Sequence, residues 1–258
     1  MNTATNRQIP PRLRQLGLGI LLCCSLALAV VGLRLLIAGV AAHQAERFVE
    51  DWERQGVLPS LQAWDIAEAA AQRAVAFYPG ANGDYYARLG KVYAWKHQQL
   101  DFGDAEAEPS RLQARDAYRL AIAARPDWPD TWVQLAFVKL HLLEFDEEFD
   151  RALARGFENG PWRMTINRGL AKVGLIAWPQ LEPEQRRQIL ESARRTVEYS
   201  QAQTRSLFNL ADRIGQTPLL CGALPDELKF SRGVCVPASA AEGPPWPSRV
   251  WTGVLHSS

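Results

Sequence analysis

Apolar positions along this chain first run unbroken and then recur every three to four residues. Leu16 to Leu33 is a continuous apolar stretch, and after the single Arg34 a second run extends from Leu35 to Ala42. A run of about 18 apolar residues matches a bilayer-spanning helix, and the leader before it carries Arg7, Arg12 and Arg14 with no acid. The positive-inside rule then puts the leader, residues 1–15, in the cytoplasm, with the membrane anchor at 16–42. Two end points for the span stay open, Leu33 and Ala42. An arginine costs about 2.5–3.5 kcal/mol at mid-bilayer but little near a helix end, where it snorkels. A cleaved signal peptide competes with the anchor, although its apolar region usually runs only about 7–15 residues. A lipidation signal at Cys23 or Cys24 fits less well, because Leu21 and Leu22 stand where a small residue is needed.

Beyond the anchor the spacing is helical. It predicts an amphipathic helix over 46–55 and a helix from a Ser60 cap to Tyr78, with Leu61, Trp64, Ala67, Ala71, Ala74 and Val75 on one stripe. Another is predicted over 84–99. The acidic run Asp101–Glu108 reads as a solvated loop, Ser110 as the cap of a helix to Arg125, and Pro126–Asp130 as a turn. Further helices are expected over 131–143, 146–155, 160–177, 183–199 and 202–214, the last stopped by Gly215. No alternating strand pattern appears. The tail 237–258, with Pro244, Pro245 and Pro247, is too poor in packing residues to build structure, so it is expected to be disordered and the folded region is 43–236.

Within that region the spacing repeats. Ala67, Ala74 and Pro79 match the second helix of a tetratricopeptide repeat, and Tyr86, Leu89, Gly90 and Tyr93 match its first. Ala114, Tyr118, Ala121 and Pro126 give a second helix again, and Trp132, Leu135 and Ala136 open another first helix. Small residues at these positions let neighbouring helices approach, and large ones fill the hole opposite. The register is lost after Leu143. The fold class expected is therefore all-α: a transmembrane helix followed by a tetratricopeptide-like, right-handed stack of antiparallel helix pairs, with an irregular helical bundle as the alternative. In such a stack the first helices line a concave groove. That assigns Asp84, Ala87, Lys91, Ala94, Asp130, Val133, Phe137 and His141 to it, with Asp84, Lys91, Asp130, Phe137 and His141 as the candidate binding residues.

Charge and composition narrow the function. A formal net charge of +1 provides no general attraction to nucleic acid, and no nucleic-acid motif accompanies it. Cys221 and Cys235 are expected to pair if the domain faces an oxidising compartment; two separate buried thiols are the alternative. No P-loop, nucleophile elbow or zinc-protease motif occurs, and His43, His97, His141 and His256 are scattered singly. The reading is of a non-enzyme with no cofactor and no metal. The acidic run Glu144–Asp150 reads as a solvated helix start with Phe145 and Phe149 turned inward. Arg186, Arg187, Arg194, Arg195 and Arg205 read as the outer face of an amphipathic helix. Of the nine tryptophans, Trp64, Trp132 and Trp178 are assigned to the core.

The stretch Arg125–Trp178 resembles the VpsP-like family of polysaccharide biosynthesis proteins. The residues that carry the likeness are Arg125-Pro126-Asp127-Trp128-Pro129, Trp132, Leu135, Ala136, Lys139, Leu140, Gly160-Pro161-Trp162 and Leu175-Ile176-Ala177-Trp178. Tyr86, Leu89, Gly90, Tyr93 and Trp95, and later Leu219-Leu220-Cys221, extend it. The resemblance implies a single-pass protein of the bacterial inner membrane, with its bulk in the periplasm, working in exopolysaccharide assembly or export. It carries over no catalytic residue. The function expected is a scaffold that contacts protein components of a polysaccharide machine. The alternative is a carbohydrate-binding module that holds the nascent polymer through Trp95, Trp128 or Trp162.

Overall fold

The computed structural model describes residues 11–235. Arg7, His256 and the tail from 237 lie outside the described residues, as does most of the leader. Helices α1 (Pro11–Gln55), α2 (Leu61–Phe77), α3 (Gly83–Trp95), α4 (Glu108–Ala124), α5 (Pro129–Leu142), α6 (Glu147–Asn159), α7 (Met164–Ile176), α8 (Pro183–Tyr199), α9 (Gln201–Arg213), α10 (Thr217–Ala223) and α11 (Asp226–Arg232) follow in order. A single 3-10 turn, Trp178–Gln180, leads into α8, and no strand occurs among the described residues.

Helix α1 fuses the anchor and the helix expected over 46–55 into one rod of 45 residues. At 1.5 Å per residue it is about 67 Å long. It is long and apolar enough to cross a membrane. Its apolar side chains Leu16 to Leu36 are exposed, whereas Ala38, Ala41, Ala42, Ala45, Val49 and Trp52 are buried at helical spacing. Ala41 and Ala42 pack with Ala74 of α2 and Tyr85 of α3, so the small residues of the second apolar run pack on the domain while Leu35, Leu36 and Val40 stay exposed. Arg34 marks the junction: its guanidinium donates to the carbonyls of Phe77 (3.2 Å) and Ala76 (3.4 Å), at the end of α2. A cation there also complements the negative end of the helix dipole.

The following helices pack as neighbours in pairs, α1 on α2, α3 on α4, α5 on α6 and α7 on α8, and the pairs join through α2–α3, α4–α5 and α8–α9. Small residues set the closeness. A Cβ on Gly90 of α3 would lie 2.7 Å from the Tyr118 ring of α4, so the large ring fills the space the glycine leaves. The α2 start is fixed by the Ser60 hydroxyl accepting from Ala63 N, and the α3 start by Asn82 accepting from Asp84 N and Tyr85 N. Trp64 and Trp132 are core residues, while Trp178 is half-buried beneath Arg186.

Three local expectations are corrected. Ser110 does not cap α4; it is buried in the first turn and donates to Ala107 O, while Pro109 opens the helix. Gly160 and Pro161 belong to a turn, and α7 begins only at Met164. Residues 202–214 are not the last helix: α10 and α11 follow and form a cap on α8 and α9, with Leu220 and Leu224 buried among Ala193, Val197, Leu207 and Ala211. Arg232 donates to the carbonyls of Val197 (2.9 Å) and Glu198, closing the end of α8. Cys221 and Cys235 form a disulfide, Cα–Cα 5.5 Å, across this cap. Closing a loop of that length is worth about 3 kcal/mol by chain entropy. Cys221→Ser/Cys235→Ser should raise hydrogen exchange across 217–235 and leave the amides of α3 to α7 protected. Uniform loss of protection throughout the chain is the contrary result.

Candidate functional site

Helices α1, α3, α5, α7 and α9 share one concave face. Glu53 of α1, Lys91, Ala94 and Trp95 of α3, Asp130, Val133, Gln134, Phe137 and His141 of α5, Thr165, Arg168 and Lys172 of α7, and Ser206, Leu210 and Arg213 of α9 line a groove of about 830 Å³. Tyr118 and Arg111 of α4 reach its floor. Of the candidate residues, Lys91, Asp130, Phe137 and His141 come together here. Asp84 does not: it pairs with Arg125 at the other end of α3, and Ala87 likewise lies outside the lining. Trp95, a candidate of the carbohydrate reading, lines it too, whereas Arg168, Lys172, Arg213 and Gln134 stand outside the expectations from the sequence. Their only signal is the one-turn spacing of Arg168 and Lys172, and the repeat register that would have shown which way they face is lost before α7.

Toward α1, α3 and α5 the charge of the groove is matched. Lys91 Nζ lies 3.2 Å from Glu53, and Arg163 Nη1 lies 2.8 Å from Asp130 Oδ2, close enough for an ion pair but not aligned as a hydrogen bond. Arg111, itself buried, donates to the carbonyls of Asp101 (2.8 Å), His141 (3.0 Å) and Leu100 (2.7 Å), which pins the acidic loop to the end of α5. That loop is therefore not simply solvated. Gly103 N donates to His141 O at 2.9 Å, and the Phe102 ring stands 4.7 Å from the imidazole. Burial, with Arg111 and Lys172 adding to it, lowers the His141 pKa to about 4, so the imidazole is neutral at neutral pH. Lys172 Nζ sits 4.7 Å from the Phe137 ring centre, and its pKa is lowered by burial and by the like charges of Arg168 and Arg213.

The acidic run after α5 serves a different purpose from the one its sequence suggests. Lys139, fully buried, donates to Glu144 (2.8 Å), Asp146 (2.9 Å) and Glu148 (2.9 Å), and Arg115 and Arg119 of α4 hold Glu144 and Glu148 from the other side. Asp146 also caps α6, accepting from Glu148 N and Phe149 N. Phe149 is buried as expected, but Phe145 is exposed and meets it edge-on. This cluster ties α4, α5 and α6 together behind the groove. Among the described residues no group of three His, Cys, Asp or Glu is arranged to hold a metal.

The three tryptophans of the carbohydrate reading are separated. Trp95 lines the groove but packs on Trp52, with ring centres 6.1 Å apart. Trp128 is flanked by Arg125 and Arg163, at 4.3 and 4.7 Å. Trp162 is 89% exposed and borders a separate shallow depression with Arg195 and Tyr199. Four of the five basic residues read as an outer face are occupied. Arg187 pairs with Glu184, Arg194 and Arg195 with Glu191, and Arg186 covers Trp178. No family model matches this chain, and no curated protein matches it.

Proposed function

We propose that this chain is a membrane-tethered, tetratricopeptide-like scaffold of the VpsP-like kind, working on the periplasmic side of a bacterial inner membrane in exopolysaccharide assembly or export. The observation that carries the reading is α1, one unbroken helix bare and apolar in its first half and built into the helix stack in its second. From Leu16 to Leu33 it rises about 27 Å, close to the hydrocarbon thickness of a bilayer. The bilayer rim then falls at Arg34, and the domain begins within about two turns of it at Ala38. A tether of this form holds the groove at a set height and angle over the membrane, whereas a flexible linker would let it wander.

Two further features support this reading. A groove drawn from α1, α3, α5, α7 and α9 is what stacked helix pairs present on their inner side. The Cys221–Cys235 disulfide suits an oxidising compartment. Within the machine the scaffold contacts protein components, and the groove is its recognition surface.

Deleting the chain from its bacterium should reduce secreted polymer to background. Full-length chain should restore it, and residues 35–258 behind a cleavable secretion signal should not. Unchanged polymer after deletion would overturn the role, and rescue by the released domain would remove the tether from it.

A further inference from the structure

We infer that the α7–α9 end of the groove docks an acidic peptide segment of a partner protein. The partner's class rests on the scaffold reading above; the chemistry rests on the groove itself. Arg168 and Lys172 stand one turn apart on α7, and Arg213 joins them from α9. Among the described residues, none of the three has a carboxylate within ion-pair distance, although Lys91 and Arg163 at the other end each have one. Cations grouped without counter-charge on a concave wall raise the local potential and favour an anion there.

Two polar atoms of the lining also lack partners. The Tyr118 hydroxyl is a buried donor with no acceptor, and Gln98 Oε1 is an acceptor with no donor. Both atoms are sealed from solvent on the α3–α4 side and take no part in the docking; the peptide's carboxylates meet the cations of α7 and α9. An acidic sugar would bring the same charge but stacks best on an open ring face. In this groove Trp95 is packed on Trp52, and Phe137 is taken by Lys172 at 4.7 Å and His141 at 4.8 Å. The exposed indole of Trp162 lies outside it. Unmatched positive charge together with the lack of an open ring face in the groove therefore selects the peptide over the glycan. Because His141 is neutral at neutral pH, it adds nothing to the attraction.

The test uses full-length chain in nanodiscs and a fluorescein-labelled peptide of alternating glutamate and alanine. Anisotropy should report saturable binding that weakens as ionic strength rises from about 0.05 to 0.5 M, with the glutamine–alanine peptide at least about tenfold weaker. Arg168→Glu/Arg213→Glu should weaken the acidic peptide by about tenfold or more. Arg151→Glu/Arg205→Glu changes net charge equally at exposed positions outside the groove and should leave affinity within about twofold. Arg168→Gln/Arg213→Gln should fall between the two. Absence of saturable binding, equal losses in both charge-reversed variants, or binding of oligogalacturonate with no binding of the peptide would each overturn the inference. Peptide binding by a chain whose deletion leaves polymer unchanged would keep the site and retire the cellular role. The reverse pair of results would keep the role and retire the site.

Discussion

Replacing Lys139 by methionine should cost the fold about 2–4 kcal/mol at pH 7, and most of that cost should vanish as the pH falls from about 4.5 toward 2. The ammonium is fully buried and holds three carboxylates at 2.8–2.9 Å. Burial alone would lower its pKa, but the hydrogen bonds it donates to Glu144, Glu148 and Asp146 outweigh it, and the net shift is upward. Breaking a buried ion pair typically costs about 3–5 kcal/mol; the figure is smaller here because the three acids keep access to water. Methionine retains the volume of the lysine stem, so the loss reports charge rather than a cavity.

The pH dependence follows from the acids. In the native chain Glu148 is held down at about 2, chiefly by the Arg119 hydrogen bond and then by Lys139, and Asp146 is lowered by Lys139 and its cap bonds against the upward push of burial. A carboxylate with a lowered folded pKa contributes stability above its unfolded value, near 4.5 for a glutamate, and loses it as pH falls toward the folded value. The native chain should thus weaken between about pH 4.5 and 2. In Lys139→Met the acids crowd one another without their cation, bind protons more readily and gain from acidification. The two curves converge. Urea unfolding in mild detergent at pH 7 and pH 2.5 measures both arms; equal midpoints at pH 7, or a deficit that does not shrink at low pH, would show that the cluster is solvated and energetically idle.

Helix starts are legible in this chain where a side-chain cap or a proline marks them: Ser60, Asn82, Asp146 and Pro183 all stand at or within one residue of an observed start. Ser110 misleads because Pro109 beside it is the stronger signal and the hydroxyl turns back to Ala107 O. The cap of α10 and α11 is illegible for another reason. Seven-residue helices are too short to show a period, and these are held by the disulfide and by Leu220 and Leu224 in a distant core. The groove divides in the same way. Lys91, Asp130, Phe137 and His141 sit where the repeat spacing of α3 and α5 directs them, but Asp84 is drawn to Arg125 by local ion pairing. The cations of α7 and α9 lie past the point where the repeat dissolves. Lys139 is the sharpest case: a lysine in an apolar helix stripe, five residues before the first acid it binds, could not be told from a surface lysine until α6 folded back over it.

The tight packing of Ile189 against Gly174 should make Gly174→Ala destabilising even though alanine is the better helix former. Gly174 lies inside α7, where alanine would contribute about 1 kcal/mol through propensity alone. Its Cβ, however, would lie 2.3, 2.5 and 2.6 Å from Cγ1, Cδ1 and Cγ2 of Ile189, a buried residue of α8. The terminal Cδ1 could swing aside, but Cγ1 and Cγ2 both branch from the same carbon, so one rotation cannot clear all three. Either α8 moves away or Ile189 leaves its rotamer, and such overpacking typically costs about 1–3 kcal/mol or more. The net loss should be about 1–2 kcal/mol, rising with Gly174→Val. Ile189→Ala alone should cost about 2–5 kcal/mol through the cavity it leaves. The double variant should recover part of both losses, because the new methyl occupies the vacated space. A coupling of about 1 kcal/mol or more in that cycle reports the contact itself. Gly222→Ala, at a helical position with nothing within 4 Å of the added methyl, supplies the baseline and should be neutral or slightly stabilising. Strict additivity between positions 174 and 189, or a Gly174→Ala chain as stable as the native one, would mean that α7 and α8 stand further apart than the structure places them.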